Sequence, residues 1–222
     1  MQIEWYGQSA FRLSTPQHTV FIDPFGDLSA LTARGLTFDY PPIERVSADL
    51  LLVTHEHADH NGVQAIGGEP AILRSTAGRL ASPIGEVAAI ASEHDEVAGT
   101  ERGPNTIFVF TLDDLRVCHF GDFGQSALRP EQVAAIDRVD LLILPVGGGF
   151  TIGAAQAQAI VETLRPRWVV PMHYRTPRIS FLDTDEAFLA RAARVERLPT
   201  AVFDTTDLPQ ADTPIAVVPA VP

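Results

Sequence analysis

Between Val53 and Asn61 the chain reads Thr54-His55-Glu56-His57-Ala58-Asp59-His60, placing three imidazoles and the Asp59 carboxylate at ligand-like spacing within six residues. The apolar run Leu50-Leu51-Leu52-Val53 just before it reads as a buried strand. In extended chain, residues two apart point the same way, so His55 and His57 can grip one cation. A turn after Ala58 sends Asp59 and His60 elsewhere, toward a second cation. Neutral imidazole with carboxylate is a ligand mix that suits zinc, with manganese or iron as competitors. The ordinary alternative is a polar turn, and four ligand-type residues at His-x-His-x-Asp-His spacing speak against it.

A two-cation centre needs more ligands. His94 follows the apolar stretch Val87–Ala91, His173 follows Trp168-Val169-Val170-Pro171, and Asp122 follows Val117–Phe120 between Gly121 and Gly124. Three strands thus each end in one ligand-type residue, as Leu50–Val53 ends in four, and strand ends are where a sheet-edge site recruits its groups. Of the other histidines, His18 reads as a surface residue of a hairpin turn. His119 lies three residues before Asp122 and points to the opposite face of its strand.

Other chemistries are poorly served. All sixteen basic residues are Arg, so lysine nucleophiles and Schiff bases are excluded. The net charge of −12 and the lack of a basic run disfavour nucleic acid as a partner. Neither Gly7-Gln8-Ser9-Ala10-Phe11 nor Gly124-Gln125-Ser126-Ala127-Leu128 completes Gly-x-Ser-x-Gly. His55-Glu56 does not continue into a helical zinc-protease motif, and Gly147-Gly148-Gly149 lacks the continuation of a nucleotide-binding turn. The lone Cys118 sits in an apolar run and reads as a small buried side chain. No signal peptide and no membrane-spanning run is evident, so the expected location is the cytoplasm.

The elements that must hold these residues follow from pattern. Ile3–Tyr6, Phe11–Leu13 and Thr19–Ile22 read as short strands, and Asp27 to Pro42 as a long loop with a short helix. Further strands are expected at Leu50–Val53, Ala71–Leu73, Val87–Ala91, Ile107–Thr111, Leu115–His119, Leu141–Leu144, Trp168–Pro171 and Ile215–Val218. Helices are expected at Glu131–Ile136 after Pro130, at Gly153–Leu164 capped by Thr151, and at Asp185–Arg194 capped by Thr184. With no repeat or linker, residues 1–222 read as one domain of α/β class, two mixed sheets packed together and flanked by helices in four layers.

His55-x-His57-x-Asp59-His60 with His94, Asp122 and His173 resembles the metallo-β-lactamase superfamily, whose fold is an αβ/βα sandwich. Ile22-Asp23-Pro24, Arg102-Gly103-Pro104-Asn105-Thr106 and Leu144-Pro145-Val146-Gly147-Gly148 bring it nearest to small bacterial hydrolases allied to ascorbate-6-phosphate lactonase. The resemblance implies that His55, His57 and His94 hold one metal, that Asp59, His60 and His173 hold the other, and that Asp122 bridges them. The best-known β-lactamases carry Cys where this chain has Asp122, and di-iron relatives carry Glu where it has His57. Hydrolysis at two divalent ions, zinc first and manganese or iron behind it, is therefore the implied activity. Two cations bring the pKa of a shared water from about 15.7 toward roughly 7. Asp59 is the candidate to orient that water.

The expected substrate is a small molecule with an ester, lactone or phosphoester bond. Arg102 and Arg175 are candidates to meet an anionic group, and Tyr174 reads as a half-buried aromatic beside a ligand. The rivals are a nuclease or phosphodiesterase with the same centre, and a non-catalytic metal-binding protein.

Overall fold

The computed structural model describes residues 1–29, 33 and 35–222. The first strands are β1 (Gln2–Gly7), β2 (Ala10–Ser14), β3 (Thr19–Ile22), β4 (Val46–Ser47) and β5 (Leu50–Val53). They are followed by β6 (Ile66–Gly67), β7 (Ala71–Arg74), β8 (Gly78–Ser82), β9 (Gly85–Glu93), β10 (Pro104–Leu112) and β11 (Leu115–His119). Helix α1 (Pro130–Ile136), β12 (Leu141–Pro145), α2 (Ala154–Leu164), β13 (Trp168–Met172) and α3 (Glu186–Leu189) alternate next. The chain closes with β14 (Arg194–Arg197), β15 (Val202–Asp204) and β16 (Ile215–Val218).

Among the described residues six strands form one main sheet in the order β15-β1-β2-β3-β5-β7, eight form the second in the order β14-β16-β13-β12-β11-β10-β9-β8, and β4 pairs with β6 in a small two-stranded sheet. Both main sheets are mixed: β3, β5 and β7 run parallel beside antiparallel β1 and β2, while β11, β12, β13 and β16 run parallel beside the antiparallel β9 and β10. Alternation along β5 explains why its four residues are all apolar. Leu50 and Leu52 enter the core shared with Phe108, Phe110 and Val117 of the second sheet, whereas Leu51 and Val53 face outward. Strands buried on both faces need such continuous runs.

The outer face of the six-stranded sheet is covered by Phe25, Leu28, Tyr40, Ile43, Ile179 and Leu182. On the other side α1 packs against β9, where the buried Gln132 Nε2 donates to the Ala91 carbonyl at 2.8 Å. The α2 residues Ala157, Ile160 and Leu164 join the main core with Phe188 of α3. The result is the αβ/βα sandwich expected from the sequence. No described helix is long and apolar enough to cross a membrane.

Three local expectations are corrected. The helix expected over Asp185–Arg194 is the four-residue α3, with Asp185 rather than Thr184 at its N-cap, because Arg194 already pairs with Ile215 as an edge strand. Helix α2 begins after Gly153, and Thr151 is instead held in a turn by the Gly148 carbonyl. Strands β4, β6, β8, β14 and β15 were not expected; β4, β6 and β15 are two or three residues long, and exposed residues blunt the apolar alternation of the edge strands β8 and β14. Of the loop expected over Asp27 to Pro42, Ala30, Leu31, Thr32 and Arg34 lie outside the described residues.

Candidate metal centre

Strands β9, β11 and β13 point the same way, and their carboxyl ends lie beside that of β5. The structure brings the seven sequence-predicted residues together in two groups, His55, His57 and His94, and Asp59, His60, Asp122 and His173. Within each group the ligand atoms all lie within 4.8 Å of one another. Asp122 touches both groups: its Oδ2 lies 3.1 Å from His94 Nε2 and 3.2 Å from His173 Nε2, and its Oδ1 lies 3.2 Å from His60 Nε2. His57 is exposed and Asp59 half-buried, while the other five are buried, so the centre opens to solvent on the His57 and Asp59 side.

Small residues let the strand ends close up. A Cβ on Gly124 would lie 2.4 Å from the His94 backbone, and one on Gly147 would lie 2.2 Å from the His173 carbonyl oxygen. Asn105 fixes the turn that carries Asp122: its Oδ1 accepts the Asp122 N–H at 3.0 Å, and its Nδ2 donates to Ser92 Oγ and the Phe120 carbonyl, each at 2.8 Å. Asp95, next to His94, accepts the N–H groups of Val97, Gly99, Glu101 and Arg102 and so shapes the following loop.

Asp23 is the organising residue that the sequence did not single out as functional. It is fully buried and accepts from Thr54 N at 2.8 Å, Thr54 Oγ1 at 2.7 Å and His60 Nδ1 at 2.9 Å. Those bonds assign tautomers in both groups. Because Thr54 Oγ1 gives its proton to Asp23, it must accept from His55 Nδ1–H at 3.1 Å, which leaves a lone pair on His55 Nε2, 3.0 Å from His57 Nδ1. His60 likewise gives its Nδ1–H to Asp23 and turns Nε2 toward Asp122 and Asp59. Carboxylates orienting ligand imidazoles in this way are a usual feature of metal sites.

The donor set fits divalent cations. Among the described residues His60 Nε2 is buried without a hydrogen-bond partner, its lone pair facing carboxylate oxygens, an arrangement that a proton or a cation relieves. Electrostatics agree. Burial disfavours the charged form of His60, yet Asp122, Asp59 and Asp23 hold its pKa well above 6.5. Burial and the neighbouring His60 depress His55, and burial with His94 depresses His57, keeping both neutral as ligands must be. Against burial, His173 and His60 hold the Asp122 carboxyl well below 3.8.

The remaining candidates fall elsewhere. His119 is outside both groups: its Nδ1 accepts from Gly121 N, so its Nε2–H donates to the Ser9 carbonyl, each at 3.1 Å. His18 is half-buried rather than a surface residue. Tyr174 is fully buried, not half-buried, and stacks on Trp5 at 5.7 Å. Arg175 is engaged by the Leu182 carbonyl and by Asp183. Arg102 lies over the Phe150 ring at 4.2 Å, with no carboxylate within 4.0 Å among the described residues. Asp23, Asn105, Ser9 and Gln8 were missed as site residues. Asp23 carried the one usable signal, a polar residue straight after the apolar strand β3.

Residues 2–173 match the model of a family described as the beta-lactamase superfamily domain. The chain belongs to the beta-lactamase superfamily. Among its relatives, a metal-dependent hydrolase of Thermococcus kodakarensis is 31% identical over 207 residues, covering 79% of this chain and 85% of the relative. A metal-dependent hydrolase of Bacillus subtilis is 28% identical over 207 residues, covering 79% and 86%. A crystal structure of a metallo-beta-lactamase superfamily protein from Thermotoga maritima superposes with a TM-score of 0.78 at 26% identity over 99% of each chain.

Proposed function

We propose that this superfamily member is a metal-dependent hydrolase that would hold two divalent cations, zinc foremost, and that its substrate is a small molecule with an ester, lactone or phosphoester bond. His55, His57 and His94 would hold one ion and Asp59, His60 and His173 the other, with Asp122 within reach of both groups. The observation that carries this reading is the position of Asp122, within 3.2 Å of imidazole nitrogens from both groups. When bound, the cations supply a water-derived nucleophile at neutral pH and polarise the scissile carbonyl or phosphoryl oxygen.

The chain's own residues do the rest. Asp23 fixes the lone pairs of His55 and His60, and Asn105 and Ser9 fix Asp122. Asp59, half-buried at the open side, accepts a hydrogen bond from the attacking water and so aims it. Substrate would enter past His57 and Asp59, and Arg102, whose guanidinium lies over the Phe150 ring, is the residue proposed to meet an anionic substituent. Metal-loaded protein assayed on lactones, thioesters and phosphoesters should turn over at least one class, lose that activity to a chelator and regain it with zinc. Metal-loaded protein without turnover on any class would contradict the proposal.

A further inference from the structure

We infer that Gln8 is a positioning residue that holds Asp59 in place and thereby sets the affinity of the second cation group, an inference that rests on the two-cation reading above. Gln8 sits in the turn between β1 and β2, 1% exposed, with φ of 50°. Backbone in this left-handed region is uncommon for a residue with a long side chain and collects at functional sites. The turn is locked from outside, since Gly7 packs so closely on the Tyr40 ring that a Cβ there would lie 2.2 Å from it.

From this turn two consecutive residues reach three of the four second-group residues. Gln8 Nε2 donates to Asp59 Oδ2 at 3.4 Å, the Gln8 carbonyl accepts from His173 N at 3.4 Å, and Ser9 Oγ donates to Asp122 Oδ1 at 3.4 Å. No hydrogen bond of the turn reaches His55, His57 or His94 among the described residues. Chemistry fixes the orientation of the amide, because a carboxylate only accepts and must therefore face the NH2 end. The other end, Gln8 Oε1, is buried without a hydrogen-bond partner among the described residues. It leaves an acceptor beside Asp59 that no protein donor satisfies and that the water of a hydrated cation can.

Asp59 is the least buried member of its group, and Gln8 Nε2 is its one hydrogen-bond donor among the described residues. Loss of such supporting bonds costs about 10–100-fold in metal affinity. The test is a zinc titration of metal-free protein against a competing chelator, with the two binding events assigned by His57→Ala and Asp59→Ala. Gln8→Met keeps the length and removes the amide. It should weaken the second-group event by about 10–100-fold and leave the first within about threefold. Equal weakening of both events, or of neither, would overturn the inference.

Should Gln8→Met fail to fold, the wild-type protein gives the answer by NMR. The Gln8 side-chain amide resonance should move on the second-group event and stay still on the first; an amide unmoved by the second would overturn the inference. Wild-type protein that takes a single ion fails earlier, contradicting the two-cation reading itself.

Discussion

Replacing Asp23 should damage both the fold and metal binding, and the size of each effect follows from its three bonds. Asp23→Ala strands Thr54 N–H, Thr54 Oγ1 and His60 Nδ1–H, all buried, without their acceptor. Hydrogen bonds to a charged partner contribute about 1.5–3 kcal/mol each but do not add fully, and removing one side of a buried charged set costs about 3–5 kcal/mol. Metal-free Asp23→Ala should therefore unfold about 3–5 kcal/mol more easily in urea. Asp23→Asn is milder, because Asn tolerates the φ of 48° at this position and keeps one acceptor oxygen. Its NH2 must still face a donor, so a loss of about 1–3 kcal/mol is expected. In chelator competition, each variant should bind zinc about 10–100-fold more weakly, since His55 and His60 lose their assigned tautomers. Metal-free Asp23→Ala within about 1 kcal/mol of wild type, or wild-type zinc affinity in both variants, would refute the reasoning.

Asp122→Ala should abolish turnover and reduce bound metal in both groups, whereas His57→Ala should abolish turnover and chiefly empty the first; full activity of either variant counts against the centre, and elemental analysis with activity assays reads both. Chelation should lower the melting temperature, and zinc restored at about a thousandfold over its dissociation constant should return about 4 kcal/mol in a urea titration. Asp140 supplies a pH test away from the metals. Burial alone would push its carboxyl up, but Arg116 N at 2.9 Å and the Arg138 guanidinium at 2.8 Å hold it below 3.8. Its contribution is thus complete above about pH 4 and lost as pH falls through the depressed value, so wild type should lose more stability on acidification than Asp140→Asn.

The seven centre residues were legible because each stands where an apolar run stops, and the unbroken apolar run of β5 was readable as buried strand. Asp23 was not, although it too ends a strand. Its role depends on the parallel pairing of β3 with β5, which sets Ile22 opposite Leu52 and so brings Asp23 beside Thr54. Gln8 and Ser9 are illegible for the same reason, since their partners lie 51 and 113 residues away. The αβ/βα architecture came through from the order of strands and helices. Its rims did not: β8 and β14 expose most of their residues, β15 is only three residues long, and the sequence from Asp185 onward trades helical character for an edge pairing with β16.

Metal content with position is the most direct test. Protein purified without chelator, quantified by elemental analysis and crystallised for anomalous scattering at the zinc edge, should hold two ions per chain. One should lie among His55, His57 and His94, the other among Asp59, His60 and His173, with Asp122 between them. A single ion, or ions away from Asp122, would contradict the account.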